Sequence, residues 1–130
     1  MKTKTLSFTA KHHITYDHFE SVIVGALEGG SNYWYFLNEI DRSKKEKDQP
    51  ITEYLSQRLF NDPFYKLNIY DAENPDELLG TVTQKSMLNA FKLAFEKYPN
   101  HYHDLMEGQD DCVTADVFFQ LAVMGEVIFG

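Results

Sequence analysis

Tyr65-Lys-Leu-Asn-Ile-Tyr-Asp71 and Leu78-Leu-Gly-Thr-Val-Thr83, joined by Ala72-Glu-Asn-Pro-Asp-Glu77, decide the fold class of this chain. In the first run Leu67 and Ile69 alternate with polar neighbours, the period of a strand with one buried face. The connecting run is rich in turn residues, and the second run returns as another strand. The pair reads as a β-hairpin with a longer loop. Gly80 inside the second strand predicts a bulge or a close approach.

Working towards the amino end, Leu6, Phe8 and Ala10 alternate with Ser7 and Thr9, so residues 3–10 read as a further strand. Asp17-His-Phe-Glu20 matches a capping box. Phe19, Val22, Ile23, Ala26 and Leu27 then form one face of a helix. Gly29 is placed to stop that helix as a left-handed C′ residue. Residues 32–40 read as a second short helix, residues 41–50 as a solvated loop, and Thr52–Phe60 as a helix.

Towards the carboxyl end, Thr83 or Ser86 caps a strongly apolar helix that ends before Pro99. His101–Glu107 makes a short helical turn. Thr114 caps a last helix from Ala115 to about Gly125, apolar around most of its circumference and therefore central or in an interface. Val127–Phe129 follows as a strand or a docked tail. The expected architecture is one α+β domain over residues 1–130. A small antiparallel sheet, the N-terminal strand plus the central hairpin, packs against four to five helices.

The net charge of −8 disfavours contact with nucleic-acid phosphates or an anionic membrane surface. The one cysteine, Cys112, forms no internal disulfide, which suits a reducing compartment. No apolar run reaches 18 residues, and the basic start lacks an apolar signal core, so a cytoplasmic location is expected.

Chemistry concentrates in Gly25-Ala-Leu-Glu-Gly-Gly-Ser-Asn-Tyr-Trp-Tyr35, which holds the only Trp and two of the eight Tyr. Glu28 is a carboxylate, Gly29 and Gly30 admit close approach, and Tyr33 and Trp34 offer stacking surface. The amides around Ser31 suit an anion. Asp116 and Gln120 lie four apart on one face of the most apolar helix; either this stripe faces water, or, since buried polar groups need partners, it holds a neighbouring backbone or a ligand. Glu126 is a similar case. The Gly-Gly pair is neither G-x-G-x-x-G nor a Walker loop. His101, His103 and Asp104, with Asp110, Asp111 and Cys112, make a poor zinc pattern, because an H-x-H pair diverges on a helix. Cys112 lacks the surroundings of a catalytic nucleophile. Neither a metal nor a cofactor is expected.

Two segments together resemble small uncharacterised proteins of tailed bacteriophages and prophages: Ala26-Leu-Glu-Gly-Gly-Ser-Asn-Tyr-Trp34, as "EGG-x-x-YW", and Thr114-Ala-Asp-Val-Phe-Phe-Gln-Leu-Ala-Val-Met-Gly-Glu-Val-Ile-Phe-Gly130, as "T-A-D-V-x-x-Q" followed by "G-E". The resemblance implies a phage accessory protein acting in a bacterial cytoplasm. It also groups Glu28, Gly29, Gly30, Tyr33 and Trp34 with Asp116, Gln120, Gly125 and Glu126, and of these Glu28, Gly29, Gly30, Tyr33, Trp34, Asp116 and Gln120 are the expected ligand-binding residues. Separation of Trp34 from Gln120 by more than about two helix diameters of ~10 Å excludes that grouping.

The expected function is that of a non-enzymatic binding protein acting stoichiometrically, by sequestering a small molecule such as a nucleotide or by occluding a host protein. A hydrolase using acidic residues, with or without metal, and an acidic mimic of nucleic acid are the alternatives. The apolar last helix also fits a homodimer.

Overall fold

The computed structural model describes residues 3–130. In chain order the elements are α1 (Tyr16–Gly25), a π-helical turn (Ala26–Gly30), β1 (Tyr35–Leu37), α2 (Ile51–Asn61), β2 (Leu67–Asp71), β3 (Leu78–Val82), α3 (Gln84–Lys97), α4 (Pro99–Met106) and α5 (Cys112–Met124). This is an α+β fold with a three-stranded antiparallel sheet in the order β1-β2-β3.

The hairpin forms as its alternation predicts. Leu67 pairs with Val82 and Ile69 with Gly80, and a register irregularity falls between Ile69 and Tyr70. Leu67, Ile69 and Val82 are buried, while Asn68 on the opposite face is exposed and accepts from Thr81 Oγ1 at 2.8 Å. Gly80 is a site of close approach: a Cβ there would stand 2.1 Å from the carbonyl oxygen of Val123 in α5. The absent side chain lets α5 lie directly on the sheet.

The third strand is not the expected one. Residues 3–10 form no strand and are exposed; β1 comes instead from the segment expected to be a short helix, with Tyr35 opposite Asp71 and Leu37 opposite Ile69. Aromatic residues favour a pleated, half-buried surface, and pairing with β2 satisfies backbone groups that a helix of about two and a half turns would leave unpaired at both ends.

Helix starts also shift by a few residues. The cap of α1 is Thr15, whose backbone N–H donates to His18 Nδ1 at 2.9 Å; Glu20 accepts from Tyr16 Oη at 2.6 Å instead of reaching back. Thr83 and Ser86 both take part at α3, each side chain bonding the other's backbone N–H. The cap of α5 is Asp111, which accepts from the N–H of Thr114 at 2.9 Å, so Thr114 lies inside the helix. Gly125, at φ +76°, ends α5 in the left-handed conformation.

α5 is the central element. Phe118, Phe119, Leu121 and Ala122 are buried on different sides of it, packed among α1, α3 and the sheet. Burial within one copy accounts for its apolar circumference, so that circumference carries no argument for a homodimer.

Candidate functional site

α1 does not stop at Gly29. The helix widens into a π-turn over Ala26–Gly30, closed by the Ser31 N–H donating to the Ala26 carbonyl at 2.9 Å. Among the described residues only Gly108, Gly125 and Gly130 have positive φ, so the left-handed stop expected at Gly29 is absent. What the turn requires is proximity. A Cβ on Gly30 would stand 2.1 Å from the Cys112 carbonyl oxygen, and one on Gly25 would stand 2.7 Å from Ala115 Cβ. The two glycines let α1 and its extension press onto the first turn of α5. A single π-turn of this kind re-aims the chain that follows. Here it delivers Ser31, Tyr33 and Trp34 to the side of α5 that carries Asp116 and Gln120.

Asp116 is the hub. Its Oδ1 accepts from Ser31 Oγ at 2.7 Å and from Trp34 Nε1 at 2.8 Å. Its Oδ2 accepts from Tyr33 Oη at 2.5 Å and from Gln120 Nε2 at 3.2 Å. Four donors fill the acceptor sites of one carboxylate. Asp116 is 8 % exposed, and no Lys or Arg among the described residues forms an ion pair with it. Neutral donors replace the lost water, as a buried charge requires.

Gln120, 1 % exposed, extends the network to the chain's last residues. Its Oε1 accepts from the N–H groups of Ile128 and Phe129, both at 2.9 Å, and its Nε2 donates to the Phe129 carbonyl at 3.1 Å. One amide side chain thus pairs with a tail as a neighbouring strand would. The Phe129 ring stacks on Trp34 at 5.3 Å between centroids and 11° between planes. Of the two expectations for Val127–Phe129, the docked tail is the one observed.

The candidate residues therefore separate. Tyr33, Trp34, Asp116 and Gln120 form one bonded group, well inside the separation that would have excluded it. Gly29 and Gly30, with Tyr33, Asp116 and Gln120, line a surface depression of about 450 Å³. Glu28 stands apart and accepts from Thr52 Oγ1 of α2 at 2.8 Å. Trp34 is 2 % exposed and covered by Phe129, so its stacking face is occupied by the chain itself. Tyr33 differs. Its hydroxyl is held by Asp116, yet the residue is 52 % exposed. Loss of hydration, then the bond to Asp116, pushes its pKa up to about 12.

Sequence reading named Ser31 only for its backbone amides and Phe129 only within a strand or tail, and missed what their side chains do in this group. Ser31 is hidden in a turn-like Gly-Gly-Ser run, and only the tail alternative hinted at Phe129. His101 bonds to Thr114 Oγ1 at 2.8 Å, His103 is exposed, and among the described residues no three of His, Cys, Asp and Glu gather as a cation site. No helix of the described residues is long and apolar enough to cross a membrane. Comparison with family models, with curated proteins and with solved structures finds no match.

Proposed function

We propose that this chain is a stoichiometric, non-enzymatic binding protein of the phage-accessory kind, and that it occludes a host protein through the surface around Tyr33. The observation that carries this reading is the state of Tyr33, an aromatic ring half open to solvent whose hydroxyl is fixed to a buried carboxylate. Such a ring loses little side-chain freedom on binding, which is what makes tyrosine an effective interface anchor. Val113, Val117 and Val127 line the same depression, and Val113 is exposed. Asp110 and Asp111 precede Cys112 directly and Glu126 precedes Val127, so acidic positions flank the apolar ones in sequence. A partner with an apolar patch and a basic rim fits this surface.

Sequestration of a nucleotide is less well supported. Its stacking face on Trp34 is covered, and the polar groups meant to orient it are already paired with one another. Bacterial lysate passed over immobilised wild-type protein and over Tyr33→Ala and Val113→Asp variants tests the proposal. A protein retained in near-equimolar amount by the wild type and lost from both variants is expected. Equal retention by all three, or native mass spectrometry showing a small molecule bound to wild type, overturns it.

A further inference from the structure

The segment Thr3–Ala10 has the alternation of a half-buried strand but no strand partner and no backbone hydrogen bond among the described residues. Leu6 is 88 % exposed and Phe8 91 % exposed. Apolar side chains at that level, on an extended arm, are unusual for a surface with nothing to bury. The arm is held at its base. His12 Nδ1 lies 2.9 Å from Tyr102 Oη, the His12 ring packs on Phe95 at 4.5 Å, and Ile14 packs against the core.

Beyond this pivot Phe8 and Ala10 of the arm, with Leu88, Phe91, Phe95 and Tyr102, line a groove of about 690 Å³. Leu88 and Phe95 are themselves exposed on α3. The molecule thus carries both an exposed apolar segment with the alternation of a strand and an apolar groove.

We propose that the arms of two copies exchange reciprocally across a two-fold axis, each leaving its own groove, where Phe8 and Ala10 form one wall, for the α3 face of the other. Length supports it: eight extended residues span about 26 Å, at roughly 3.3 Å each, and the fourteen residues of α3 span about 21 Å. Area supports it as well. Two arms and two grooves, each contact about 26 by 10 Å, remove about 1,000 Å² from water, the threshold for a specific interface. Charge supports it too. The first eleven residues hold Lys2, Lys4 and Lys11 and no acid, +3 within a total of −8, which leaves −11 on the rest of the chain. That excess draws a basic arm to another copy only at long range; at the groove itself Lys92 and Glu96 balance, so the contact there is apolar. The exchange pairs each surplus feature of one copy with its complement on the other, the self-complementary geometry of an isologous dimer. It uses a surface separate from that around Tyr33.

The test is sedimentation velocity with light scattering across micromolar concentrations. It compares wild type, an arm variant (Leu6→Asp with Phe8→Asp) and a groove variant (Leu88→Asp with Phe95→Asp). Far-UV circular dichroism and Trp34 fluorescence confirm that each variant is folded, and all four positions are exposed, so folding is expected to survive. Wild type should shift from 15.1 kDa towards twice that mass. Each variant alone should dissociate at least tenfold more readily. Mixing the two variants should restore association, because an intact arm then meets an intact groove. A monomeric wild type overturns the proposal, whether or not the groove holds a small apolar molecule. So does a dimer indifferent to both variants, or a mixture that stays monomeric.

Discussion

Replacing Asp116 by Ala removes the acceptor on which the tertiary network converges. Ser31 Oγ and Trp34 Nε1 have Asp116 as their partner and lie on residues that are almost fully buried. A stranded buried donor costs about 1–3 kcal/mol, so these two together cost about 2–6 kcal/mol. Gln120 Nε2 keeps the Phe129 carbonyl, and Tyr33 is exposed enough to regain water, so both add little. The expected loss is about 4 kcal/mol, a large share of the ~5–15 kcal/mol that holds an ordinary domain. A chain of this size should then melt roughly 10–20 °C lower. Urea unfolding followed by fluorescence measures the loss directly, since Trp34 is the only tryptophan and reports from within the network. Asp116→Asn keeps one oxygen for Ser31 and Trp34 but turns an amide donor towards Gln120, and should cost about half as much. A double-mutant cycle with Trp34→Phe, followed by circular dichroism, should give a coupling near 1 kcal/mol or more. A loss under about 1 kcal/mol for Asp116→Ala, or zero coupling in the cycle, refutes the reasoning that these donors depend on the carboxylate.

The two adjacent glycines should behave oppositely. Gly30→Ala sets a Cβ against the Cys112 carbonyl and should cost about 1–3 kcal/mol or more, whereas Gly29→Ala meets nothing within 4 Å and should be neutral or stabilise by up to about 1 kcal/mol; thermal melts of the pair check this. Phe129→Ala should uncover Trp34, cost about 0.5–1.5 kcal/mol of stacking beyond lost area, and shift Trp emission to longer wavelength with faster acrylamide quenching. Because Tyr33 titrates at about 12 when folded against 10.0 when free, the unfolded chain ionises first. The stability that Tyr33 contributes is complete below pH 10 and declines between pH 10 and 12. Tyr33→Phe should flatten that part of the alkaline unfolding profile, which is measured by pH-jump fluorescence. Tyr16, also raised by burial and by Glu20, supplies an alkaline loss that persists in the variant.

Local chemistry in the sequence determined much of this protein. The alternation of Leu67 and Ile69 specified the hairpin, because a period of two belongs to the strand whatever surrounds it. The apolar face at residues 19–27 specified α1, apolar stretches bounded by turn and capping residues placed α2, α3 and α5 to within a few residues, and Pro99 marked the junction of α3 and α4. Asp116 and Gln120, polar side chains on an apolar helix, left two outcomes, a solvated stripe or a partnered one, since a buried polar group without a partner is too costly to keep.

Which partners they have was decided only in three dimensions. Residues 3–10 carry as good a strand pattern as Tyr35–Leu37, yet the sheet takes the latter. Strand pairing depends on which backbone arrives beside β2, and the π-turn at Ala26–Gly30 delivers Tyr35. That turn depends on close contact with the Cys112 carbonyl, more than eighty residues away, so the glycine pair alone could not reveal it. The same holds for Phe129 on Trp34 and for the saturation of Asp116. Each is a contact between distant parts of the chain, made when α5 takes its place at the centre of the fold.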